Sequence, residues 1–179
     1  MPRLSKDDYL WHLAFAAARR GTCDRLRAGC VVARDGIVVA TGYNGSAPGE
    51  PHCDEAGHRL VSFVPCGAPD WQTESGGPPV HCLRTIHAEI NAIINAAYLG
   101  VSIRGCDWYV TGVSCPACSK AIARLDPERL FFCSDLGADQ RQNHRHLRWW
   151  RERYSQFGRP LILTRTMAEL RAARVVGEQ

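Results

Sequence analysis

Residues 81–93 read HCLRTIHAEINAI, and residues 114–118 read SCPAC. His87, Cys115 and Cys118 together offer three metal ligands of the type zinc prefers. A structural zinc takes four protein ligands, whereas a catalytic zinc takes three and keeps a tetrahedral position open for water. Glu89, two residues beyond His87, can act on that water without binding the metal. The apolar run after His87 predicts a helix over about 86–98, ending at Gly100, and Pro116 suits the first position of another. His87 would then open one helix, and Cys115 and Cys118 would lie in the first turn of the next. The partial positive charge at such ends stabilises thiolates, and ligands at i and i+3 share a helical face.

H-x-E followed 28 residues later by C-x-x-C is the signature of zinc deaminases acting on cytosine or adenine amines. In that chemistry zinc ionises a water, and Glu89 carries its proton to the ring nitrogen and then to the leaving amine. An acid beside the open position argues against a purely structural zinc module.

The rest of the chain fits around this pair. At 179 residues it is read as one domain, 1–179, with one sizeable core. The 22 Lys+Arg against 18 Asp+Glu give a net charge of +4, which is compatible with an anionic small molecule and too weak to argue for nucleic acid. Twenty of those basic residues are arginine. With nine cysteines but no signal peptide and no long apolar run, metal-binding thiols in a reducing, cytoplasmic compartment are expected, with no membrane association. A helix over 6–20 with Ser5 as N-cap leads into AGCVVA and GIVVATGY, which flank a hairpin turn at Arg34-Asp35-Gly36. Residues 50–80, with seven prolines or glycines between Pro65 and Pro79, are expected to be an insertion without regular structure. Strands follow at about 106–112, 129–133 and 159–164, with a basic helix at 138–154. The order α-β-β-α-β-α-β-α-β implies a mixed sheet covered by helices on both faces. Trp11, Trp71 and Trp108 are read as packing, and the run from Arg141 to Arg153 as a solvated helix face.

The segments TCDRLRAGCVV, GYNGSAPGEPHC, HCLRTIHAEINAI and WYVTGVSCPACSKAI, in that order, resemble the deoxycytidylate (dCMP) deaminases of bacteria and phages, within the cytidine deaminase-like superfamily. The resemblance covers roughly residues 5–133. It implies a three-layer αβα sandwich with a mixed five-stranded sheet, and hydrolysis of dCMP to dUMP plus ammonia. It also implies a homo-oligomer, a hexamer or a dimer, regulated by dCTP and dTTP. Carried over by position, His87, Cys115 and Cys118 bind zinc and Glu89 shuttles protons. Asn44 contacts the sugar, and the Ala88 N–H and Ser114 carbonyl face the pyrimidine. Cys23, Cys53 and His81 stand where some of these enzymes hold a second, structural zinc, its fourth ligand left open among His52, Cys66 and Cys82. Arg25, Arg27 and Arg84 are candidates to grip a 5′-phosphate, because guanidinium meets phosphate with two hydrogen bonds. Two departures stand out: Ser114 occupies the place of the family's usual Pro, and the segment after Cys133, where family members often carry aromatic and acidic residues near the base pocket, here reads SDLGADQRQNHRHLRWW. A modified or secondary-metabolism cytosine nucleotide or nucleoside is the alternative substrate, with tRNA or another polynucleotide ranking behind it.

Overall fold

The computed structural model describes residues 3–62, 80–136, 140–154 and 161–176. Asp35 and Gly36 both carry positive φ, 54° and 81°, as a two-residue hairpin turn between right-twisted strands requires. They join β1 (Gly29–Arg34) to its antiparallel neighbour β2 (Ile37–Tyr43). β1 also pairs antiparallel with β5 (Asp107–Val110), after which β6 (Arg129–Cys133) and β7 (Leu161–Arg165) add in parallel. The result is a mixed five-stranded sheet in the order β2-β1-β5-β6-β7.

Adjacent strand residues face opposite sides of the sheet, and here both sides are covered. Cys30, Val32, Trp108, Val110, Leu130 and Phe132 pack beneath α3 (Ala88–Tyr98), α4 (Pro116–Ala123) and α5 (Gln140–Tyr154). Val31, Ala33, Tyr109, Phe131 and Cys133 pack beneath α1 (Lys6–Ala18) and α6 (Met167–Ala172). This is the expected αβα sandwich. Trp11 and Trp108 are buried in its two cores, as the packing reading has it; Trp71 lies outside the described residues. Ser5 caps α1, its hydroxyl accepting the Asp8 N–H at 3.0 Å.

Two glycines set how closely the layers approach. A Cβ at Gly42 would stand 2.1 Å from the Ala88 carbonyl oxygen, and one at Gly29 would stand 2.1 Å from that of Ala14. Helix backbone therefore rests directly on strand backbone, and the buried Ala88, Ala92 and Ala96 form the stripe that permits it on α3. Gly42→Ala should destabilise the protein by about 3 kcal/mol, because a backbone rather than a side chain must yield. Chemical denaturation checks this, and wild-type stability would contradict the close contact.

Four elements depart from expectation. Within the supposedly irregular 50–80 stretch, Cys53–Ala56 forms a single helical turn, α2. Leu60–Ser62 (β3) and Val80–Cys82 (β4) form a separate antiparallel pair, because short alternating runs at the two ends of the stretch can meet across it. Residues 63–79, with Cys66, lie outside the described residues. α6 was not anticipated, although Thr166 and Glu169 form a capping box, which is legible in sequence as T-x-x-E. Among the described residues no helix is long and apolar enough to cross a membrane.

Candidate active site

Three chain segments deliver the site. At the end of β2, Gly45 pairs with Ile86 in an isolated two-bond bridge, 2.8 and 3.1 Å, which fixes the backbone just before His87. His87 is the N-cap of α3, with extended φ/ψ of −70° and 152° and no side-chain bond to its own helix. Its ring is therefore available elsewhere. Beyond β5, Cys115 is likewise the N-cap of α4, Pro116 follows in the first turn, and Cys118 lies in that same turn. Two helix N-termini thus converge on one point, each bringing partial positive charge to the thiolates.

The geometry there fits zinc. Nδ1 of His87 lies 3.5 Å from Cys115 Sγ and 3.4 Å from Cys118 Sγ. A tetrahedral ion with Zn–S of about 2.3 Å and Zn–N of about 2.0–2.1 Å places its sulfur and nitrogen donors about 3.5–3.6 Å apart. The Cys118 hydrogen bond, despite burial and with help from His87, brings the Cys115 thiol down to about 3. His87 in turn is raised to about 9, chiefly by Cys115. Glu89, in the first turn of α3, is 5% exposed. Burial leads the forces that raise its pKa, with the His87 charge opposing.

A second group lies beside it. Cys23, Cys53, His58 and Cys82 bring one donor atom each within 4.8 Å of one another. Cys53 Sγ is 3.6 Å from Cys82 Sγ, and Cys23 Sγ is 3.8 Å from His58 Nδ1. These spacings suit a tetrahedral S₃N set, for which sulfurs stand about 3.8 Å apart. His58 Nε2 meets Asp24 Oδ1 at 3.0 Å, the carboxylate contact that orients a ligating imidazole and leaves Nδ1 free to bind. Burial raises the Cys82 thiol, but bonds from His58, Thr85 and the N–H groups of Arg84 and Arg59 outweigh it and bring it down to about 6. All eight described cysteines are free thiols.

His81 is not in this second group. On β4 successive side chains point to opposite sides. Cys82 enters the cysteine cluster, while His81 stacks on His87 with ring centroids 6.2 Å apart and borders the catalytic cleft. The place expected of His81 is taken by His58, which Gly57, at φ 73°, turns back towards Cys23.

The cleft, of about 300 Å³, is bordered by His87, Ala88, Glu89, Asn44, His81 and Arg25, among others. Burial leads the effects on His81, lowering its pKa; the neighbouring His87 and Arg25 charges act in the same sense. Asn44 is buried, its Oδ1 accepting the Ala28 N–H at 2.7 Å and its Nδ2 donating to the Leu26 carbonyl at 2.6 Å. It therefore holds the loop that carries Arg25 as well as facing the cleft. Arg27 and Arg84 do not line the cleft, and the buried Nε of Arg84 has no hydrogen-bond partner among the described residues. The Ser114 carbonyl accepts Ser119 Oγ–H at 3.2 Å. α5 corrects the reading of a solvated face: Leu147 and Trp150 are core residues, and Asn143 and His146 line the cleft. Their spacing at 143, 146, 147 and 150 is that of one helical face, hidden in sequence by the arginines around it.

The family model for the cytidine and deoxycytidylate deaminase zinc-binding region matches residues 4–134, which include every residue of both candidate metal-binding groups. The chain belongs to this deaminase family. Within the family it is 33% identical over 135 residues to ComE operon protein 2 of Bacillus subtilis, covering 75% of this chain but only 62% of that relative's length. It is 36% identical over 132 residues to the deoxycytidylate deaminase of Mycobacterium phage D29, covering 74% of this chain and 97% of the phage protein. The dCMP deaminase of cyanophage S-TIM5, solved with dCMP and dUMP, shares the fold at a TM-score of 0.58 and 20% identity, over 93% of this chain and all of that one. His87, Cys115 and Cys118 could together hold a metal ion, and Glu89 lines the same cleft.

Proposed function

We propose that the protein hydrolyses dCMP to dUMP and ammonia. The observation that carries this reading is the convergence of His87, Cys115 and Cys118 at zinc-ligand spacing, with Glu89 buried beside them in a nucleotide-sized cleft. Bound zinc supplies the Lewis acidity that ionises water near neutral pH. Glu89 accepts one proton from the attacking water and delivers it to the pyrimidine ring nitrogen, then takes the proton left on the added hydroxyl and passes it to the amine as the C–N bond breaks and the carbonyl forms. The Ala88 N–H, at the positive end of α3, and the Ser114 carbonyl orient the ring. Asn44 contacts the sugar while keeping its two backbone bonds. The relatives named deoxycytidylate deaminase support the nucleotide. Cys23, Cys53, His58 and Cys82 hold a second, structural zinc that ties α2 and the β3–β4 pair to the loop after α1.

Of the three arginines considered for the 5′-phosphate, Arg25 is the one on the cleft, so the phosphate contact is placed there. A dianion held remote from the reacting carbon shows itself as selectivity in kcat/KM between nucleotide and nucleoside. dCMP should exceed deoxycytidine by about 10²-fold or more, and Arg25→Ala should collapse that ratio while barely altering the slow deoxycytidine rate. Equal efficiency on the two substrates in the wild type would replace this reading with a nucleoside deaminase. Self-association is supported by the apolar surface of Ile37, Tyr98 and Leu99, which are 70, 89 and 67% exposed at the β2 edge and the end of α3.

A further inference from the structure

The β1–β2 ladder ends with Gly29 opposite Tyr43, so Ala28 and Asn44 are the next pair. In an antiparallel ladder a hydrogen-bonded pair exchanges two backbone N–H···O=C bonds. Here only one is made, the Asn44 N–H donating to the Ala28 carbonyl at 3.0 Å. The Asn44 carbonyl is taken by a different donor, the Thr22 N–H at 3.1 Å. The Ala28 N–H donates instead to the Asn44 side chain, whose Oδ1 accepts it at 2.7 Å in place of that carbonyl. Nδ2 reaches further back along the same loop and donates to the Leu26 carbonyl at 2.6 Å. One buried residue thus holds the 22–28 loop at Thr22, Leu26 and Ala28. Room for its amide is left by Gly21, where a Cβ would stand 2.6 Å from Asn44 Oδ1. Between these anchors Asp24, Arg25, Leu26 and Arg27 are all exposed and outside any helix or strand, so hydrogen bonds rather than packing direct their backbone. Arg25, on the cleft, lies on this stretch. Its other shoulder is held by Asp24, whose carboxylate meets His58 Nε2 at 3.0 Å.

We propose that Asn44 is a positioning residue for the substrate's phosphate: its amide fixes the 24–27 turn so that Arg25 faces the cleft, and it thereby sets the selectivity for nucleotide over nucleoside. This rests on the deaminase reading and on the phosphate contact placed at Arg25. A guanidinium on an exposed turn meets a phosphate with useful strength only if its backbone is held before the ligand arrives, since otherwise binding must also order the turn. The amide supplies that order from the core side, as an extra rung of the sheet. It leaves one Nδ2 hydrogen over for the sugar, so the two roles are compatible and separable. Because Asp24 and His58 hold the other shoulder, loss of Asn44 weakens the selectivity and does not abolish it.

The test measures kcat/KM for dCMP and for deoxycytidine in the zinc-loaded wild type, Asn44→Ala, Arg25→Ala and the double variant. Asn44→Ala should lower the dCMP-to-deoxycytidine ratio about tenfold, and adding it to Arg25→Ala should leave that variant's ratio within about twofold, because residues acting through one another are not additive. Gly21→Ala keeps the Asn44 side chain but crowds its Oδ1, so it should lower the ratio in the same direction, and it decides the matter should Asn44→Ala fail to fold. A residue that touches only the sugar would lower both substrates by one factor and leave the ratio unchanged, which would overturn the proposal. So would a further fall of the ratio in the Arg25→Ala background equal to that in wild type. Equal efficiency on the two substrates in the wild type would instead refute the nucleotide reading, and this proposal with it.

Discussion

Glu89→Gln lowers kcat by at least about 10²-fold, with general acid–base catalysis contributing about 10²–10⁴-fold, while zinc content and melting temperature stay at wild-type values. The amide keeps the shape of the carboxylate and its place in the first turn of α3, so packing against the sheet is undisturbed. It cannot accept a proton from water or return one to the pyrimidine. The residue's own burial makes the substitution clean, since replacing an ionisable group by a neutral one relieves desolvation. His81 and His146 also border the cleft, but neither follows a metal ligand on the same helical turn as Glu89 does. Steady-state rates with metal analysis decide the matter, and near-wild-type turnover in Glu89→Gln would remove the carboxylate from the mechanism.

The second large effect belongs to the cysteine cluster. Purified protein should contain two zinc ions per chain, and Cys82→Ser should contain one. Hydroxyl is a poor zinc ligand beside thiolate, and Cys82 is the thiol that four hydrogen bonds already bring down to about 6. A metal bound far below its ambient concentration stabilises the fold by about 3–4 kcal/mol, so the variant should melt roughly 6–16 °C lower. The catalytic ligands come from α3 and α4 and are untouched, so the remaining ion should still support turnover. One zinc in both wild type and Cys82→Ser would dispose of the second site.

How far these features could be read in the sequence depends on whether their cause was local. The meeting of His87, Cys115 and Cys118 was legible because each segment opens a helix that announces itself: an apolar run after His87, a proline after Cys115. The hairpin at Asp35-Gly36 was legible for the same reason, since two successive positive-φ positions demand such residues. The second group was only half legible. Cys23 and Cys53 were candidates, but whether His81 or Cys82 faces the cluster depends on which way β4 is turned, and only its pairing with β3 fixes that. His58 depends on the turn at Gly57, which a sequence does not orient. Asn143 and His146 are pocket residues on a helix whose charged composition suggests solvent everywhere. Their inward direction comes from Leu147 and Trp150 seeking the core.

Incubation of the zinc-loaded protein with dCMP, CMP, deoxycytidine and cytosine in parallel, with product and ammonia quantified, tests the central claim most directly. dCMP should yield dUMP and ammonia in equal amounts and at the highest kcat/KM of the four. Deamination of another member of the set with dCMP left intact, or no ammonia from any of them, would contradict it.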